Sequence, residues 1–316
     1  MKTSCRRMPS LAGVLALASF LLMPHAVLSQ GAPALTPNPN IKIDYMEPSD
    51  PIRLDYDPAM LSQGARAELS DLMLKYRTFM AVRERLMKSR LLERFSMFLS
   101  PLRLPTTLRL VTKSCGYANA TYSRADTSIT LCYEYVQQFE RNAPKQTTEH
   151  GITREDAIVG GIVSTMLHEI GHALFSIYRL PVLGKEEDAA DQLAGYVMLQ
   201  FGRNVALATT RGAAWEWLIN DWTNPSYHDS HATAQQRFYN TLCIGYGAFP
   251  ETFQTFVDMG KLPKERAASC AREYQQVKLA FETTVGPHLD PELAQKVLAA
   301  TWLQPGELGP TYPVTD

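Results

Sequence analysis

The sequence predicts an α+β, helix-rich domain with a small antiparallel or mixed sheet, and three observations predict it. Apolar residues recur at helical spacing from about Ser62 to Ser100, and again from Thr153 almost to the end of the chain. Between these stretches, Leu108–Lys113 and Ser128–Val136 alternate or are rich in β-branched and aromatic residues, with a turn-like run at Ser123–Ser128. No linker, internal repeat or low-complexity tract divides residues 62–303, so one mature domain is expected over 60–305, followed by a short tail at 306–316.

The first residues do not belong to that domain. Lys2, Arg6 and Arg7 precede an apolar run from Leu11 to Met23, and Val27 and Ser29 follow with the small-residue spacing of a secretory cleavage site. A transmembrane helix needs about 20 apolar residues, so a signal peptide over 1–29, cleaved after Ser29, is the expectation, with a secreted or periplasmic product. No later apolar run in the sequence is long enough to serve as a second span. Residues 30–59 hold six prolines with little apolar periodicity, which predicts an extended arm rather than packed structure.

The whole chain has 316 residues, with 31 Lys plus Arg against 32 Asp plus Glu. Cleavage after Ser29 leaves 28 basic against 32 acidic residues, a net −4. There is no basic excess for holding a nucleic acid. Cys5 departs with the signal, leaving Cys115, Cys132, Cys243 and Cys270 in an oxidising compartment. Of the three possible pairings, Cys115 with Cys132 and Cys243 with Cys270 are favoured, because each closes a short loop.

The chemistry concentrates in the next segment. Thr153 caps a helix, with Asp156 placed to return the bond, and Ile158, Ile162, Met166, Ile170 and Ala173 run along one side until Leu180 and Pro181 stop it. That helix carries His168-Glu169-x-x-His172. Two His four apart share a face and can present two nitrogens to one metal, and Glu169 lies beside that face, placed to take a proton from a water the metal activates. Roughly one chain in a hundred of this composition would carry such a match by chance, so a third ligand matters. Glu186, Glu187 and Asp191 open a second helix, on or beside its stripe of Ala190, Leu193, Ala194, Val197, Met198 and Phe201. A carboxylate aimed at a core must be paired or bind metal. Glu187 is the expected third ligand, with Glu186 and Asp191 as alternatives, and Asp191 is expected to accept the other ring N–H of His168 or His172.

His168-Glu169-x-x-His172 with Glu187-x-x-x-Asp191 resembles the gluzincins, the thermolysin-like zinc peptidases. The longer pattern of Cys115-Gly116-Tyr117-Ala118-Asn119-Ala120, Leu131-Cys132-Tyr133-Glu134, the HEIGHAL helix, EEDAADQLAG and Gln236-Arg237-Phe238-Tyr239-Asn240 is similar to a family of bacterial metallopeptidases and covers roughly residues 60–285. The resemblance implies a zincin-like fold, one zinc ion and a peptide or protein substrate. It also implies that Asn119 and Ala120, on the first strand of a hairpin, bind substrate backbone. An oxyanion donor is implied too, for which His231 is the candidate, with Asp229 to orient it and Tyr239 as substitute. Trp215, Trp217 and Trp222 read as core or rim aromatics. Two competing expectations use the same residues: a zincin-fold binding or scaffold protein of the cell envelope, and a zinc hydrolase of a non-peptide amide or ester. Oligomeric state is not readable from the sequence.

Overall fold

The computed structural model describes residues 35–49, 62–220 and 222–300. The signal peptide, parts of the arm and the tail at 306–316 lie outside the described residues. The described elements are strand β1 (Ile41–Tyr45), helices α1 (Gln63–Lys88) and α2 (Leu91–Phe98), strands β2 (Leu108–Lys113), β3 (Ala120–Ser123) and β4 (Ser128–Cys132), then helices α3 (Tyr133–Asn142), α4 (Arg154–Tyr178), α5 (Glu186–Met198), α6 (Arg203–Leu218), α7 (Ala234–Ala248), α8 (Pro250–Asp258), α9 (Lys264–Thr284) and α10 (Pro291–Ala299). The fold is α+β with one small mixed sheet, as the spacing predicts.

The sheet order is β1-β2-β4-β3; β1 and β2, and β2 and β4, run parallel, while β3 and β4 form an antiparallel hairpin. Two details differ from the sequence expectation. The arm is not merely extended: Ile41–Tyr45 pairs with β2 from Ile41↔Leu108 to Tyr45↔Thr112, and the Asn38 side chain donates to the Leu99 and Leu102 carbonyls. The segment predicted as strand to Val136 stops at Cys132, because Tyr133, Val136 and Phe139 fall at helical spacing and bury one face of α3.

Helix α4 is the centre of the main core. The Thr153–Asp156 capping box forms as expected, and the chain leaves the helix through Arg179 in a left-handed conformation. Against the expectation of no second run long enough to span a membrane, α4 qualifies by length and composition, but it is largely buried inside the protein. Its close neighbours are admitted by glycine. A Cβ on Gly212 of α6 would lie 1.8 Å from the Asp156 carbonyl oxygen, and one on Gly171 would lie 3.2 Å from Ala190 of α5. The second contact brings the acidic first turn of α5 within reach of the histidines. A smaller core, with Phe238, Leu242, Phe253 and Phe256, is built largely from α6–α9.

Both favoured cysteine pairs are disulfides, Cys115–Cys132 and Cys243–Cys270. The first ties the loop before β3 to the end of β4. Glu134 grips the same loop, accepting from the Ser114 hydroxyl at 2.7 Å and from the backbone N–H of Cys115 and Gly116 at 3.0 and 2.8 Å. Burial pushes the Glu134 carboxyl up, but these donors outweigh it and hold its pKa below the ordinary value. Glu134→Gln is expected to cost roughly 1–3 kcal/mol of stability at pH 7, the range for hydrogen bonds to a charged group. A depressed native pKa contributes stability above the unfolded value of about 4.3 and loses it as pH falls through the native value. Urea unfolding of wild type and variant at pH 7 and pH 3 should therefore give a gap that narrows in acid; a gap unchanged with pH would contradict the assignment.

Candidate metal centre

Two helices deliver the polar groups. Helix α4 supplies His168, Glu169 and His172, and the first two turns of α5 supply Glu186, Glu187 and Asp191. His168 and His172 meet edge to face with ring centroids 4.8 Å apart. Their Nε2 atoms are 3.1 Å from each other, and they lie 3.1 and 3.2 Å respectively from Glu187 Oε2. A tetrahedral ion with bonds of about 2.0–2.1 Å keeps its ligands about 3.3 Å apart. These three donor atoms therefore outline one face of such a tetrahedron.

The other ring nitrogens support that arrangement. His168 Nδ1 is 2.8 Å from Asp191 Oδ1, and His172 Nδ1 is 2.8 Å from Glu186 Oε1. A carboxylate accepts, so each Nδ1 is the protonated nitrogen and each neutral Nε2 turns a lone pair toward the shared point. Two lone pairs 3.1 Å apart repel unless a cation or a proton lies between them. The donor set fits a divalent metal. Glu186, one alternative for the third ligand, supports His172 in this geometry, and Asp191, the other, supports His168.

Without metal, protons take the cation's place. Burial disfavours a charge on His168, yet Asp191 and Glu187 overrule it and hold its pKa up at about 9. The bond from His168 pulls Glu187 down to about 2 against its burial. Burial raises Asp191, and His168 and Arg237 outweigh it, leaving its pKa at about 2. Metal uptake must displace protons from such a site. Glu169 is 8% exposed, and burial raises its carboxyl above the usual range against the pull of both imidazoles.

Arg237 holds Asp191 from behind. Its Nε donates to Oδ2 at 2.7 Å and a terminal nitrogen donates to Oδ1 at 2.5 Å, while its guanidinium lies 3.7 Å from the centroid of the Trp217 ring. Beneath, Tyr135 donates to Glu216, a carboxyl that burial pushes up to about 7. Arg124, in the turn between β3 and β4, makes two bonds to Glu186 at 2.9 and 2.7 Å.

Except for Glu216, these groups line a cleft of about 690 Å³, bounded on one side by Asn119 and by Ala120, Thr121 and Tyr122 of β3. Strand β3 is an edge of the sheet. Asn119 accepts the Cys132 N–H within the ladder, so the alternate positions Ala120 and Tyr122 turn their backbone groups outward. The outward N–H of Tyr122 meets Glu169. His231 also lines the cleft: its Nε2 is 2.9 Å from Glu187 Oε2, its Nδ1 is 3.1 Å from Asp229 Oδ1, and its ring stacks 6.0 Å from that of His168. Tyr239 does not line it, packing instead on Trp222 and Phe238.

The structure brings His168, Glu169, His172, Glu187, Asp191, His231, Asn119 and Ala120 to one cleft and adds Arg124, Arg237, Tyr135 and Glu216 around it, for which the sequence gives no role. Arg237 lies within the Gln236–Asn240 segment, where an arginine beside Phe238 and Tyr239 on a helix is the sequence signal for it. Trp217 proves to be a rim aromatic.

A family model described as "Putative metallopeptidase" matches residues 75–285, about two thirds of the chain. No curated protein and no solved structure matches it.

Removing Arg237 would leave the half-buried Asp191 carboxylate with His168 as its remaining partner. Arg237→Ala is expected to destabilise the protein by roughly 3 kcal/mol, at the lower end for breaking one side of a buried pair. Arg237→Lys should recover only part of this, since an ammonium lacks the two-pronged fork. Denaturant unfolding checks both, and a loss below about 1 kcal/mol for the alanine variant, the value of an exposed pair, would contradict them.

Proposed function

The chain belongs to the metallopeptidase family whose model spans residues 75–285, and we propose that it is an exported, zinc-dependent peptidase of gluzincin type holding one ion on His168, His172 and Glu187. The observation that carries this reading is the convergence of three donor atoms, 3.1–3.2 Å apart, beside the buried Glu169 and a free strand edge. A zinc ion bound there supplies a Lewis acid that polarises a peptide carbonyl and acidifies water. The carboxylate of Glu169 takes the proton from the attacking water and hands it to the leaving amine; burial raises its basicity for the first transfer and its carboxylic acid form serves the second.

The remaining groups position substrate and stabilise charge. An extended peptide added at β3 would meet the outward backbone N–H and C=O of Ala120, with the Asn119 side chain beside it. The His231 imidazole, oriented by Asp229 at 3.1 Å, donates to the oxyanion as the carbonyl becomes tetrahedral. The basic head and apolar run within residues 1–29 support export, as do the two disulfides, which suit an oxidising compartment.

Zinc-loaded protein incubated with a peptide panel and casein should cleave, and a chelator should stop it. Glu169→Gln should keep the zinc and lose about 10²–10⁴-fold in kcat; full activity would sink the mechanism, while absence of cleavage across the panel would favour a binding protein or an ester or non-peptide amide hydrolase. His231→Ala should keep the zinc and lose about 10²–10³-fold in kcat. Loss of zinc from that variant instead would make His231 a ligand. The intact mass of the exported protein should correspond to a chain beginning at Gln30.

A further inference from the structure

We propose that Arg124, in the turn between β3 and β4, is a positioning residue for the metal: it fixes Glu186, and Glu186 fixes the ring of His172. The inference rests on the metal-site reading above and assigns a second carboxylate and its arginine to that site. Glu186 Oε1 lies 2.8 Å from His172 Nδ1 and 2.9 Å from an Arg124 terminal nitrogen, which also donates to Oε2 at 2.7 Å. One carboxylate thus joins a ring on α4 to a guanidinium on the sheet.

The two histidines are supported unequally. Asp191 is short and is clamped by an arginine that itself rests on Trp217. Glu186 has one more torsion, a side chain 34% exposed, and stands at a helix start whose Lys185 makes no side-chain cap. Left alone, such a carboxylate would swing into water and release the His172 ring. Arg124 closes that escape. Its turn is held in shape, since the Ser128 hydroxyl donates to Asp126 at 2.9 Å, so the guanidinium is offered from a fixed base.

An exposed ion pair contributes little to folding. The Arg124 side chain is 65% exposed, so its value must be sought in the orientation of His172. The sign of its effect separates this role from a simple electrostatic one. Arg124 is a cation near a cation-binding site, and through space its removal would tighten metal binding, most visibly at low salt. As a support for Glu186, its removal would weaken binding.

The test is zinc affinity of the full mature chain, measured by competition with a chromophoric chelator at one pH and two salt concentrations. Arg124→Gln is expected to weaken binding about tenfold, the lower end for losing an outer partner of a metal ligand, with an unchanged Tm of the metal-free protein. Glu186→Gln should weaken it at least as much, and the double variant no further than Glu186→Gln alone, because both act through one ring. Arg124→Lys, with the charge but not the fork, should fall between wild type and Arg124→Gln. The visible absorption of the cobalt-loaded protein should change in Arg124→Gln, reporting a disturbed ligand field. Binding by Arg124→Gln as tight as wild type or tighter, or additive losses in the double variant, would overturn the relay while leaving the metal site standing. Wild type that takes up neither zinc nor cobalt would overturn both.

Discussion

Asp191 stands between the ring N–H of His168 and the guanidinium of Arg237, and the polar centre of the protein depends on that arrangement of charge. Helix α4 is largely apolar, yet it buries His168 and Glu169 to 6% and 8% exposure in the middle of the main core. Polar groups removed from water must be paired, or they cost more than the packing around them returns. Asp191 orients a ring that would otherwise be an unsatisfied donor, and Arg237 neutralises the carboxylate this requires. The aromatic face of Trp217 then accommodates the guanidinium. Behind the cleft, Asp191 thus has both His168 and Arg237, and the buried Glu216 has the Tyr135 hydroxyl.

Much of this was readable from local spacing. Helix α4, its capping box and the shared face of His168 and His172 follow from residues three or four apart, and so does the presence of acidic groups on the α5 stripe. The disulfides close short loops and were readable for the same reason. What local spacing does not carry is pairing over distance. Arg124 meets Glu186 across 62 residues, and Arg237 meets Asp191 across 46. Which of Glu186 and Asp191 supports which ring also depends on the α4–α5 contact at Gly171 and Ala190, a tertiary fact.

The sheet was legible only in part. Strand β4 is buried at every position and reads as a strand, but Tyr133 and Val136 beyond it carry strand-favouring side chains on a helix, where packing of one face overrides propensity. In the proline-rich arm, Ile41, Ile43 and Tyr45 do alternate, yet five residues give a weak signal, and only Ile41 of the three is fully buried.

That short strand has a consequence for the rest of the sheet. A sheet with open flanks invites any extended chain to pair with it, including a second copy of the same protein. By lying along β2, residues 41–45 become the border strand away from the cleft, while β3 is the border beside it. Helix α1 caps that outer border in part, where Arg83 Nε donates to the Tyr45 carbonyl at 2.8 Å. Of the two borders β3 is the one that faces the cleft, so a chain pairing there would run past His168, Glu169 and His172.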